Sequence, residues 1–334
     1  MKIFVLHCGG TISCETKNGV LAPSADIVPQ FKRLSSEFPT VSFVHKRITP
    51  FLSEYLSGTQ LNVITKEVKK AALSGKYAGI IVCHGSDTVF YTAAAIGYTL
   101  GLDSIPTVTV CADLPLSDEK SSGHENLRAA ATVIVSGKAS GALAVYPDGN
   151  AVTVHRATRL LRHRAYESGL SSVGQPYGKV VTISPVNRIF IKNEDYSELK
   201  DELAPFNCGF KRRCPVMHLT VTPGMPYPHP PLLCRAVILG SYHSGTVDTQ
   251  SRETLRFANE CRRRGIPVYV DGTGSCADYE SSGRFAELGF TRMPAMTSPQ
   301  AMYIKLWLTH SAALTTNTSE ILRLSLGGDL PASI

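Results

Sequence analysis

Nowhere in this chain of 334 residues do about 18 apolar residues follow one another, so nothing reads as a membrane-spanning helix. Met1 leads directly into the apolar stretch Ile3 to Leu6, without the charged and apolar blocks of a secretory leader. CxxC pairs are also missing. The nine cysteines (8, 14, 83, 111, 208, 214, 234, 261 and 276) stand singly, which argues for reduced thiols and against a zinc site or a short-chain disulfide framework. These absences point to the cytoplasm. Low-complexity segments and short-period repeats are lacking too. There is no strong excess of one charge. The net charge of +7 is bunched at Arg156 to Arg164 (RATRLLRHR), Lys211 to Arg213 and Arg262 to Arg264, and such clusters read as solvated helix faces before they read as a nucleic-acid surface.

What is present is an α/β rhythm. Short apolar runs, IFVLH, AGIIVCHG (Ala78 to Gly85), VTVCADL (Val108 to Leu114) and GALAVY (Gly141 to Tyr146), predict buried strands of a parallel sheet covered on both faces. Leu61, Ile64, Val68 and Leu73 predict one amphipathic helix over 60–74, and Leu127, Ala130, Ala131 and Ile134 another over 125–136. Residues 185–215 are more polar and bracketed by prolines, as an interdomain connection would be. A second rhythm follows: CRAVILGSY as strand, 251–263 as helix, IPVYVDG as strand and 298–308 as helix. The expected division is a larger N-terminal domain over 1–190, a linker over 191–212 and a smaller C-terminal α/β domain over 213–334. The final GGDLPASI reads as a loose end.

Ligands of parallel α/β sheets gather at the carboxyl ends of strands, which singles out four segments. CGGTIS offers the Thr11 hydroxyl after two glycines that permit a sharp turn; it is either a reagent holder or a tight turn with Thr11 as helix cap. The GxGxxG spacing and later acid of a dinucleotide fold are not there. HGSDT (His84 to Thr88) places Ser86 beside Asp87, able to orient water or hold an ammonium group, or simply to cap the helix that follows. LPLSDEKSSGHENL and RATRLL complete the set.

Taken in order, these segments resemble the L-asparaginase family of bacterial type. CGGTIS is similar to the family's TGGTI element, HGSDT to its HGTDT, LPLSDEKSSGHENL to its IPL…SDG..NL, and CRAVILGSYHSGTV to its strand and glycine-rich turn. The resemblance implies a flavodoxin-like N-terminal domain, a smaller C-terminal domain, and a homodimer or homotetramer whose neighbouring subunit completes the site. It implies hydrolysis of L-asparagine, and of L-glutamine to a degree the sequence leaves open, to the acid and ammonia, with no cofactor and no metal. Thr11 would be the nucleophile, with Ser86 and Asp87 as catalytic partners and Asp87 on the substrate's α-ammonium. Ser53, Glu54 and Gly85 would bind the remaining substrate groups.

Two departures touch the family's proton relay. Arg159 stands where the RxTK element has lysine, and a guanidinium cannot serve as a base. Val20 or Leu21, in NGVLAPS, takes the place of a loop tyrosine. These departures motivate a second reading, an asparaginase-fold protein that binds amino acids with little turnover. A third, the amidotransferase component that draws ammonia from glutamine for tRNA-dependent amidation, ranks below both.

Overall fold

The computed structural model describes residues 1–23, 31–164, 167, 169–184, 187–272, 279–312, 314 and 317–332. The first part of the chain runs β1 (Lys2–Gly9), β2 (Cys14–Lys17), β3 (Val20–Pro23), α1 (Phe31–Glu37), β4 (Ser42–Phe51), α2 (Gly58–Leu73) and β5 (Gly79–Cys83). It continues through α3 (Val89–Leu100), β6 (Thr107–Val110), α4 (Gly123–Val135), β7 (Ala142–Asp148), β8 (Ala151–Arg156), β9 (Gly178–Ser184) and β10 (Asn187–Lys192). Eight of these strands form one sheet in the order β10-β9-β8-β7-β6-β5-β1-β4. From β4 to β7 every pairing is parallel, and the predicted apolar runs supply four of these five strands. Beyond β7 the sheet grows by antiparallel pairings, through the tight Gly149 turn into β8 and then β9 and β10. The large domain is therefore parallel at its centre and antiparallel along one flank.

Alternation along the strands sends successive side chains to opposite faces. Ile3, Val5, Ile81 and Val108 pack with Leu34 and Leu127 from α1 and α4, whereas Phe4, Leu6, Ile80 and Val82 pack with Ile64, Val68 and Phe90 from α2 and α3. Both faces are covered, which is why the strands read as continuous apolar runs. Ser57 caps α2 by accepting from the Thr59 amide, so the helix starts ahead of the first residue its periodicity marks.

The second part comprises β11 (Val216–Thr220), β12 (Ala236–Gly240), α5 (Arg252–Arg263), β13 (Val268–Val270), α6 (Glu280–Gly283), α7 (Phe285–Leu288), β14 (Phe290–Arg292), α8 (Pro299–Ala312) and α9 (Thr318–Arg323). Its four strands are all parallel in chain order. Ile238 and Tyr269 face Met302 and Trp307 of α8, and this layer is continuous with Leu61, Ala94 and Tyr98 of the large domain. Val237 and Leu239 face Phe257 of α5 on the other side.

The segment between the two sheets is closely held. Asn62 Nδ2 donates to the Phe210 carbonyl, the Phe206 amide donates to the Tyr98 carbonyl, and Asp201 accepts from the amides of Leu102 and Gly327. The expected loose end is also overturned: residues 327–330 are buried. Asp329, fully buried, accepts from Lys305 Nζ at 2.7 Å and from Tyr98 Oη at 3.1 Å. A charge pair this deep survives only with every partner in place, which fixes the segment. The first basic cluster is no solvated helix face either. Arg156 is buried and forms a two-pronged pair with Glu198 beneath the Tyr177 ring, while Arg262 and Arg263 do lie on α5. The described cysteines are free thiols, and Cys276 lies outside the described residues.

Candidate active site

Among the parallel strands, in the order β4-β1-β5-β6-β7, the chain builds outward in one direction from β1 to β4 and in the other from β5 to β7. At such a switch point the loops leaving adjacent strands part and leave a crevice at their carboxyl ends, where α/β proteins bind ligands. Thr11 leaves β1 there, and His84, Gly85, Ser86 and Asp87 leave β5.

The two loops meet backbone to backbone. Gly10 adopts φ +76°, and a Cβ at this residue would lie 2.2 Å from Gly85 N and Cα. Glycine is required by the turn and by the contact together. Gly85 in turn abuts buried Ser53, whose Oγ would sit 2.4 Å from a Cβ at Gly85. Thr11 opens a single turn of 3₁₀ helix, Thr11–Ser13, for which Gly10 is the N-cap; Thr11 is thus not a cap, and its side chain is half-buried. Ser86 and Asp87 form another such turn before α3, and neither side chain caps that helix. Asp87 Oδ2 instead accepts from Ser53 Oγ at 3.1 Å, and Thr88 Oγ1 donates to the Ser53 carbonyl at 2.9 Å. The Ser53–Tyr55 turn is thereby pinned against Ser86–Thr88. Ser53 holds Asp87 from behind, and Glu54 is exposed beside Cys14, whose thiol is raised by burial and by the Glu54 charge.

His84, read as part of the HGSDT element, is fully buried and braces the loop. Its ring lies 2.9 Å from both the Gly85 carbonyl and Thr92 Oγ1, and burial lowers its pKa to about 4, so it stays neutral at physiological pH. Below Asp87, burial pushes the Cys111 thiol up to about 12, helped by the charges of Asp113 and Asp87. Burial opposes ionisation of Asp113, but Ser122 Oγ and the Ser122 and Leu114 amides outweigh it and hold this carboxyl below its ordinary value. Ser122 therefore secures the Asp113 carboxylate from the far end of the same β6–α4 loop.

Beside the Ser86 turn opens a cavity of about 480 Å³, lined by Ser86, Asp87, Phe90, Asp113, Tyr146, Arg162, His163, Arg164 and Glu167. In the sequence the residues after RATR read as surface charge; the clue to them is that they follow the β7–β8 hairpin at the rim of the same sheet. Arg159 itself does not line this cavity. Its Nε donates to the Gly328 carbonyl at 2.7 Å and its Nη2 to the Ser197 and Leu330 carbonyls, with the guanidinium 4.9 Å over the Tyr196 ring. Val20 and Leu21, at the relay-tyrosine position, lie exposed on the β2–β3 hairpin, while Ser24 of that stretch lies outside the described residues. No cluster of His, Cys, Asp and Glu suited to a metal occurs among the described residues.

Comparison with known proteins agrees with this layout. The family model described as "Asparaginase, N-terminal" matches residues 2–188. The L-asparaginase of Thermococcus kodakarensis is 25% identical, with all of both chains covered. A component of the glutamyl-tRNA(Gln) amidotransferase of Methanosarcina acetivorans is 23% identical over 98% of this chain and 79% of its own. Among solved structures, the thermostable L-asparaginase from Thermococcus kodakarensis superposes with a TM-score of 0.76 at 20% identity, covering both chains completely, and so shares the fold. With more than half of its length under the family model and its architecture shared from end to end, the chain belongs to the asparaginase family.

Proposed function

We propose that this chain hydrolyses L-asparagine to L-aspartate and ammonia in the cytoplasm, as a homodimer or homotetramer, with Thr11 as nucleophile. The observation that supports the reading is the meeting of Gly10 with Gly85, which brings the loop that carries Thr11 against the loop that carries Ser86 and Asp87 at the switch point of the sheet. Thr11 Oγ1 attacks the side-chain carboxamide carbon, ammonia leaves, and water cleaves the resulting ester. Asp87, steadied by Ser53, receives the substrate's α-ammonium, and Gly85 beside it takes part in binding the substrate. Ser53 and Glu54 border the end that takes the α-carboxylate and α-amino groups. No cofactor or metal enters this scheme.

Ammonia release from L-asparagine and L-glutamine, compared with a Thr11→Ala variant, tests the reading. Turnover at least about 1000-fold above the variant is expected, on the order of what a lost nucleophile costs. Turnover equal to that of the variant overturns it.

The commitment of Arg159 to main-chain carbonyls favours a second reading, an amino-acid-binding protein without turnover. A melting temperature raised by L-aspartate in a protein that releases no ammonia is its signature. The amidotransferase role of the Methanosarcina relative stands below both; a tRNA shift with steep salt dependence would bring it forward.

A further inference from the structure

Arg159 is spoken for, and the described residues lining the cavity include no lysine, so the hydroxyl of Ser86 needs another proton acceptor. We infer that His163 is that acceptor: the base that takes the Ser86 proton while water cleaves the ester on Thr11. The inference rests on the function proposed above.

Three observations carry it. His163 and Ser86 line the same cavity. The His163 ring is held edge-on between Phe90 and Tyr146, at centroid distances of 6.3 and 6.4 Å, and Phe90 follows Ser86 by about one helical turn. Its Nδ1 lies 2.8 Å from the Gly169 carbonyl. A carbonyl only accepts, so the hydrogen belongs on Nδ1 and Nε2 keeps a lone pair. That Nε2 is buried and has no hydrogen-bond partner among the described residues. A buried acceptor left open is costly, and a base held ready for a proton is one use that repays the cost.

The other lining groups are poorer bases. Asp113 is occupied by Ser122, Asp87 by Ser53, and Glu167 lies exposed beside Arg164. Arg162 and Arg164 cannot accept a proton. Tyr146 completes the titratable groups facing the ring.

The step balances as follows. Water oxygen bonds to the acyl carbon and passes a proton to Ser86 Oγ as Ser86 gives its own to His163 Nε2. The bond between that carbon and Thr11 Oγ1 then breaks, and Nε2 returns the proton through Ser86 to the Thr11 oxygen.

The test compares full-length wild type, His163→Asn, His163→Lys and Thr11→Ala, each with its kcat followed against pH. His163→Asn is expected to lower kcat about 100-fold or more with KM little changed. It should also accumulate an aspartyl ester on Thr11, visible by intact mass, and lose the acid limb of the kcat profile; His163→Lys should recover part of the turnover. Wild-type kcat and pH profile in His163→Asn overturn the inference and leave the proposed function standing. A lower kcat with neither adduct nor altered pH profile also overturns it, by assigning His163 to structure. Wild type no faster than Thr11→Ala overturns the proposed function, and this role with it.

Discussion

Arg159 donates three hydrogen bonds to carbonyls of residues 197, 328 and 330 and stacks on Tyr196. A lysine has the charge but not the planar fork, so it cannot serve all three acceptors. Arg159→Lys is therefore expected to lower unfolding free energy by about 2 kcal/mol in urea titrations, leaving buried carbonyls short of donors. It should give no gain in ammonia release, since nothing in the position of this side chain leads to the cavity. Replacing one residue type by another was visible in the sequence; where the new side chain goes was not. The resemblance marked Thr11, Ser86 and Asp87 because their motifs are contiguous, and the structure gathers their loops. It could not mark His163, whose setting comes from Gly169, Phe90 and Tyr146, residues distant from one another in the chain.

At the level of elements, the strands and helices that both faces of a parallel sheet bury were legible, because apolar runs and 3.6-residue spacing record burial directly. The antiparallel flank was harder to see. β10 exposes Ile189 and Ile191 and buries Phe190, a pattern that an edge strand shares with a polar connection. The loop glycines give the sharpest element-scale prediction. Gly10 and Gly19 share nearly the same φ, at +76° and +77°, but a Cβ at Gly19 meets nothing within 4 Å whereas one at Gly10 strikes the Gly85 backbone. Gly19→Ala should cost about 1 kcal/mol, the left-handed penalty alone. Gly10→Ala should cost about 4 kcal/mol or more and abolish ammonia release, as read by denaturation and assay side by side.

Two buried imidazoles contribute to the pH dependence of the molecule as a whole. His84 and His155 are both lowered by burial from 6.5 to about 4. Their folded forms bind protons more weakly than their unfolded forms, so their contribution to stability is complete above about pH 6.5 and is lost as pH falls to about 4. Each contributes roughly 3 kcal/mol to that loss. Urea midpoints measured over that range should fall steeply, and the fall should be shallower in His155→Gln, whose site away from the switch-point loops spares the chemistry. The burial of residues 327–330 has a consequence in time as well as space. They leave the ribosome after every strand of both sheets, yet the guanidinium of Arg159, Lys305 and the Leu102 loop all close upon them or upon their partners. A chain cut short of residue 327 keeps every strand of both sheets yet loses the carbonyl and carboxylate acceptors on which the buried charges of Arg159 and Lys305 close.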